Sequence, residues 1–448
     1  MSSDSRVCAD CIIDSYLADR VRRNGCQPSL CDYCDGPAST ASLHSIARLC
    51  SDAIEKRFQL TSQEMSAVLY ERVPRGESLS DLLGRILSSN TKVVNSVVEL
   101  LEEEWYERDS GESIYGEDPW FEASSALGDS VSQEWDRLEA SLRSENRFAN
   151  RGLLTMLDEI FGRALANDDS CIKVAGPDDS LARLYRARTF ESDHRLQEAL
   201  MHPERTLGTP PPGVSAAGRM NAPGVSVFYG ATDKITAVAE VRPPVGSRVL
   251  VGAFVFVRPV RLLDLEKLAA VAAPEASVFD TEAVRPIAIR QFLRVLAERM
   301  VMPVMPETAH QDYLATQAIA DYLAAHTEMN VDGIIFPSVQ TGGADRNIVL
   351  FNKASGVRYA DSRRSSLSFA SLIEYDGDQR IDWPELVTKA GFEDEEDPIW
   401  RFDLERKNEP LLRLDRESLT IETVTAVAFT STTRSVRHRR DVASLRGT

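Results

Sequence analysis

The chain has no apolar run near the roughly 18 residues that a membrane-spanning helix needs. Its first residues also lack the charged and apolar regions of a secretory signal, so a cytoplasmic location without membrane contact is expected. An excess of positive charge is missing too. Against 69 Asp and Glu stand 51 Lys and Arg, a formal net charge of -18. Bulk attraction to a polyanion such as nucleic acid is therefore disfavoured, although a local basic pocket can still hold a diphosphate. Beyond residue 34 cysteine nearly vanishes, leaving Cys50 and Cys171, while five of the seven crowd into the first 34 positions. That distribution excludes a disulfide framework and points to one metal site.

At 448 residues and 43% hydrophobic content the chain is long enough for two or three soluble domains. The first expected domain, 1–38, holds Cys8-x-x-Cys11 and Cys31-x-x-Cys34 with 19 residues between the pairs. Each pair can form a tight knuckle whose thiolates take two corners of a tetrahedron, and the gap suits a small ribbon closed around structural zinc. Cys26 is an alternative fourth ligand. Four thiolates leave no open coordination position, so the site is expected to stabilise the fold and take no part in catalysis.

Residues 39–170 read as a helical module. Leu43, Ile46, Ala47, Cys50, Ala53 and Ile54 form one apolar stripe, and Val93, Val94, Val97, Val98, Leu100 and Leu101 form another. A polar linker around Asp169 and Pro177 precedes a third domain, 178–360, whose first strand, LARLYRARTF, aligns Arg186 with Arg188 on one face. The plain alternative is a solvated strand face. The run 248–257 is continuously apolar and suits a strand at the centre of a sheet. Helices are expected at 265–272, 281–302 and from Ala309, with His326 at a helix end. An extension, 361–448, carries an acidic run from Glu393 to Asp397, a strand-like IETVTAVAFT and a basic end.

The stretch Gly218–Glu240 is the richest in chemistry. A Gly218-Arg219-x-Asn221 turn leads into Val225, Val227 and Tyr229 alternating with Ser226 and Phe228, which predicts a half-buried strand. Thr232 stands in the position of an N-cap, and Ile235, Val238 and Ala239 predict a helix that ends on Glu240. The plain reading of Glu240 is a helix-end carboxylate paired with Arg242 or Arg248.

Five motifs in order carry a family resemblance: Tyr185-Arg186; Gly218-Arg219-x-Asn221 with Gly224; Tyr229; Ala237-x-x-Glu240; and Pro337-Ser338 ahead of Asn347-Ile348-Val349-Leu350. Over roughly residues 180–355 the chain resembles the RES family. Met220, where the family has Trp, and a proline-rich insertion before Arg219 are the departures. The resemblance implies an α+β protein whose catalytic domain has an ADP-ribosyltransferase-like fold. It also implies degradation of NAD by phosphorolysis or hydrolysis, as in toxins restrained by an antitoxin. The helical module resembles the HEPN-type domain found ahead of RES domains. Some members of that superfamily are ribonucleases with an Arg-x4–6-His motif, but the one match, Arg188 to His194, lies outside the module.

Under this resemblance Arg186, Arg219, Asn221 and Tyr229 bind substrate, and Arg219, Tyr229, Glu240 and Ser338 serve catalysis. The residue chemistry suits those roles. Guanidinium forks match phosphate oxygens, an aromatic face attracts a cationic ring, and a carboxylate gains most as ribose acquires oxocarbenium character. Ser338 would orient the ribose, the carboxamide or the nucleophile. The residues alone name no substrate. Two rivals are a protein ADP-ribosyltransferase and a non-catalytic zinc-bearing interaction protein with a degenerate RES domain. The chemistry requires no metal.

Overall fold

The computed structural model describes residues 5–24, 26–61, 76–107, 112–116, 118–124, 126–144, 150–162, 169–271, 276–302, 304, 307, 312–358, 366–376, 379–390, 410–428 and 430–436. The fold mixes helices and sheets, α+β, and divides into two compact units. One comprises Met1–Lys173, Gly218–Met220 and Leu263–Val331; the other comprises Val174–Ala217, Asn221–Leu262 and Asp332–Thr448.

The first unit begins with β1 (Arg6–Cys8), α1 (Ser15–Asn24), β2 (Cys26–Leu30), β3 (Pro37–Ser42) and α2 (Leu43–Arg57). It continues through β4 (Phe58–Leu60), β5 (Glu77–Ser78), α3 (Leu79–Ile86), α4 (Thr91–Trp105), β6 (Tyr106–Glu107), β7 (Glu112–Ser113), β8 (Trp120–Ala123), α5 (Ala126–Ser144) and α6 (Arg151–Leu157). The expected helical stripes are present, but small sheets β4-β8-β5 and β6-β7 interrupt them, so this part is not a pure bundle. Ser42 caps α2 through its side chain, and the buried face is the predicted stripe from Leu43 to Ile54. One core runs from Val7 in the cysteine-bearing ribbon to Leu101 in α4, so ribbon and helices share their apolar interior across the boundary expected at residue 38.

The chain next enters β9 (Ile172–Ala175), β10 (Arg183–Phe190), α7 (Asp193–Met201), α8 (Pro203–Leu207), β11 (Phe228–Ala231), α9 (Lys234–Glu240), β12 (Arg248–Phe256) and β13 (Val260–Asp264). Helices α10 (Leu265–Ala270), α11 (Val284–Val301) and α12 (Leu314–Ala325) follow. The last two belong to the first unit, where Trp135 of α5 meets Phe292 of α11 at 5.7 Å and Arg285 pairs with Glu134 and Glu159. Tyr322 of α12 donates to Asp158, and His326, at the end of α12, faces the same carboxylate. Ala309 lies outside the described residues.

The remaining strands are β14 (Gly333–Pro337), β15 (Arg346–Leu350), β16 (Val357–Arg358), β17 (Ser366–Asp376), β18 (Gln379–Ala390) and β19 (Leu412–Thr423). Nine strands form one sheet in the order β16-β19-β12-β10-β11-β15-β14-β13-β9. The apolar β12 is interior, as its composition predicts, yet the middle position belongs to β11. Leu184, Phe228, Leu250, Phe254, Ile335 and Ile348 fill the larger core on one face of this sheet, and Phe228 meets Phe254 edge-on at 4.9 Å. Burying each such ring contributes about 1.5–3 kcal/mol. Ala187, Ala231, Val249 and Val251 pack with Ala237 of α9 on the other face.

Local expectations are corrected in three places. The strand is Phe228–Ala231 only, and Ser226, Val227 and Phe228 are all buried, so the alternation does not divide a buried face from a solvated one. Asp233, not Thr232, caps α9, accepting from the N–H groups of Ile235 and Thr236. Thr232 instead accepts from the N–H of Arg346 at 3.2 Å, tying the turn to β15. The C-terminal strand runs from Leu412 to Thr423, so only the first three residues of IETVTAVAFT belong to it, and the acidic run from Glu393 lies outside the described residues. Among the described residues no helix is long and apolar enough to cross a membrane.

Candidate active site

Glu240 is the last residue of α9, delivered there by a helix that Asp233 starts and that Ala237 anchors to the sheet. Its Oε1 accepts two hydrogen bonds, from Ser338 Oγ at 2.6 Å and from Asn347 Nδ2 at 2.7 Å. No partner for Oε2 occurs among the described residues. Ser338 is completely buried just beyond β14, and its N–H donates to the Asp345 carbonyl at 2.9 Å. The Asp345 carboxylate accepts from Thr236 Oγ1 of α9 at 3.2 Å, so the Ser338 loop is laced to the helix that carries Glu240. Asn347 lies in β15, opposite Ala231 on one side and Phe336 on the other. The plain reading of Glu240 fails: Arg248 pairs with Asp193, and Arg242 reaches the amide oxygen of Gln340 once that amide faces it.

Tyr229 and Ala231 alternate onto the sheet face that carries Asn347. The Tyr229 hydroxyl donates to Asn221 Oδ1 at 2.9 Å. Asn221 Nδ2 is aimed at the carbonyls of Ala216, Ala222 and Val225, at 2.9, 3.2 and 3.0 Å. Both ends of this buried amide are thus engaged within the turn, and Asn221 holds the loop around the phenol. Gly224 closes that loop with φ +82°, a conformation that side chains rarely adopt.

Arg186 is placed differently. Its register with Gly252, and that of Leu184 with Phe254, put it on the face of the larger core, opposite to the face of Asn347 and α9. The guanidinium lies 4.9 Å from the Phe228 ring centre, and its Nη1 is buried without a hydrogen-bond partner. Burial, with Arg188 adding repulsion, pushes its pKa down to about 10, still far above neutral, so the group stays charged. Although part of the side chain reaches solvent, Nη1 does not. Arg188, exposed on the same face, donates to the Thr206 carbonyl, and His194 faces Glu198, so the Arg-to-His match converges on nothing.

Arg219 belongs to the first unit. Its Nη1 donates to the carbonyls of Met300 and Met302 at the end of α11, at 2.9 and 2.7 Å, and its plane lies over Tyr313. The hydroxyl of Thr316 in α12 donates to the Arg219 carbonyl at 2.6 Å and fixes the backbone. Met220 is buried, as a replacement for a large aromatic residue would be.

Residues 183–370 match the family model described as the RES domain. The chain carries a RES domain. No curated protein and no solved structure matched the chain. A RES domain is associated with NAD-related, ADP-ribosyltransferase-like function. Arg186, Arg219, Tyr229, Glu240 and Ser338 all fall within the match. The structure brings Glu240 and Ser338 into contact and joins Tyr229 to Asn221; it sets Arg186 on the opposite sheet face and Arg219 in the other unit. Asn347, the second donor to Glu240, was given no separate role by the motif pattern. Its signal is the strand register, which a sequence does not display.

Apart from the RES site, the sulfurs of Cys8, Cys11, Cys31 and Cys34 all lie within 4.8 Å of one another. Cys8 and Cys34 sulfurs are 3.5 Å apart, and those of Cys11 and Cys31 are 3.9 Å apart. Four sulfurs about 2.3 Å from a tetrahedral centre would be separated by about 3.8 Å, so the donor set fits a bound metal. Burial raises the Cys8 and Cys11 thiols. At Cys31 burial acts in the same sense, but N–H groups of Tyr33, Cys8 and Cys34 aimed at the sulfur outweigh it and lower the pKa. The Cys26 side chain lies outside the described ones.

Proposed function

We propose that the RES domain cleaves the bond between nicotinamide and ribose in NAD, with Glu240 stabilising the oxocarbenium-like transition state. The observation that carries this reading is the pair of donors on one oxygen of Glu240, which fixes the carboxylate in place and leaves its second oxygen for substrate. As the glycosidic bond breaks, positive charge grows on the ribose, and a fixed carboxylate is worth more to that state than to the ground state. Tyr229, its hydroxyl held by Asn221, offers an aromatic face to the cationic ring. The family resemblance assigns the diphosphate to Arg186 and Arg219, although Arg186 lies on the sheet face opposite Glu240 and Arg219 donates to carbonyls of its own unit. Incubating the protein with NAD, with and without phosphate, and resolving the products by chromatography and mass tests the reading. Phosphate-dependent formation of a phosphorylated ADP-ribose means phosphorolysis; ADP-ribose formed without phosphate means hydrolysis. Intact NAD in both arms rejects the assignment.

Arg186 yields a prediction of opposite signs. A buried guanidinium with an unpartnered nitrogen costs stability, and a hydrophobic side chain of similar length removes that cost. Arg186→Met is expected to raise the melting temperature, and the diphosphate assignment requires in addition that NAD binding weaken by calorimetry. A lower melting temperature with unchanged affinity would assign Arg186 to the scaffold.

We further propose that the four-cysteine cluster holds zinc, since a complete thiolate shell suits a borderline-soft, redox-inert ion. Because the ribbon shares its core with α2 and α4, losing the ion should loosen that whole core. A chelator, or Cys8→Ser with Cys11→Ser, is expected to lower the melting temperature by several degrees. Nicotinamide release at low temperature should persist, because no cysteine of the cluster enters the chemistry. A melt that is unchanged after chelation removes the ion from the account. Control by an antitoxin or another regulatory protein is the remaining proposal carried by the family resemblance.

A further inference from the structure

Two donors on the same oxygen of Glu240 do different jobs. The carboxylate sits at the C-terminal end of a seven-residue helix, where main-chain carbonyls point outward and disfavour a negative side chain. It is also solvent-exposed, so nothing about packing fixes its rotation. Ser338 has a hydroxyl that can turn its proton elsewhere, and it begins a loop that includes Gly342 and Gly343, both at positive φ. Asn347 has neither freedom. Its backbone lies in β15, paired with β11 on one side and β14 on the other. Its amide nitrogen can only donate, and an amide turned the other way would set two acceptor oxygens 2.7 Å apart.

We propose that Asn347 is the positioning residue of this site: its Nδ2 holds Oε1 of Glu240 so that the plane of the carboxylate is set and Oε2 faces the ribose. The inference rests on the reading of Glu240 as the carboxylate that assists NAD cleavage. Asn347 acts through Glu240 and touches no substrate. Removing it therefore leaves ground-state binding of NAD intact and misdirects the group whose contribution matters in the transition state.

The test is steady-state NAD cleavage by the full chain and two variants, with thermal melts alongside. Asn347→Ala is expected to lower kcat about 10- to 100-fold while KM for NAD stays within about twofold, the scale of effect produced by a small misplacement of a catalytic group. Asn347→Asp preserves volume, replaces the donor by a second carboxylate and should lower kcat further; it is the deciding variant should the alanine change disturb the melt. A parent that cleaves NAD together with variants at parental kcat overturns the positioning role alone. A raised KM at unchanged kcat overturns it too, by making Asn347 a substrate contact. A parent that leaves NAD intact overturns both this inference and the reading on which it rests.

Discussion

Glu240→Gln is expected to slow nicotinamide release from NAD by at least about 100-fold, with KM nearly unchanged and the melting temperature within a degree or two of the parent. Glutamine has the same length and shape, and its amide oxygen can still accept from Ser338 Oγ and Asn347 Nδ2, the two bonds that orient the group. Glu240 is exposed and makes no ion pair with Arg242 or Arg248, so removing its charge breaks no salt bridge and leaves no buried cation behind. What is lost is a fixed negative charge beside a carbon that becomes positive. A transition-state interaction of this kind is worth about 3 kcal/mol, and one decade of rate corresponds to about 1.4 kcal/mol. Activity near the parental rate in a folded variant would remove Glu240 from the chemistry. A matched fall in rate and melting temperature would make it structural.

How far the site could be read from the chain depends on which kind of order carries each residue. Ala237-x-x-Glu240 is local, and a helix ending on Glu240 follows from periodicity alone, as found. Pro337-Ser338 is local too, and the serine follows directly on β14. Their contact spans 98 positions and is set by sheet register, which no local pattern reports. The same limit explains Asn347 and Arg186. Which face Arg186 occupies depends on its pairing with Gly252, and alternation within LARLYRARTF aligns it with Arg188 without saying on which side of the sheet both lie. Thr232 and Asp233 compete for one cap, and a contact with Arg346, far along the chain, decides between them. The cysteine cluster was the most legible feature, because its ligand spacing is itself the constraint. Least legible was the division into units, in which Leu263–Val331, inside the RES match, packs with the N-terminal region through pairs such as Arg299 with Asp136.

Truncation after residue 410 is expected to abolish the folded state of the RES sheet, whereas truncation after residue 430 should leave its melting transition unchanged. The RES match ends at residue 370, yet β19, some 40 residues beyond it, pairs antiparallel with β12 from Arg248 opposite Thr423 to Phe256 opposite Leu412. Without β19 the hydrogen-bonding edge of an apolar interior strand would be bare. Leu411, Leu412 and Leu414 are buried in the larger core, and each leucine removed from such a site costs about 2–5 kcal/mol. Three of them rival the whole stability of a typical domain, about 5–15 kcal/mol, before any lost strand pairing is counted. Arg416 adds a second tie, a two-pronged pair with the buried Glu204 of α8 at 2.6 and 3.1 Å, and Ser418 accepts from the Ala253 N–H across a bulge in β12 pairing. Residues 430–436 are, by contrast, exposed throughout. Circular dichroism and thermal melts of the two truncated chains separate the cases. A cooperative, parental melt from the chain ending at residue 410 would show that β19 is an addition to a sheet already complete without it.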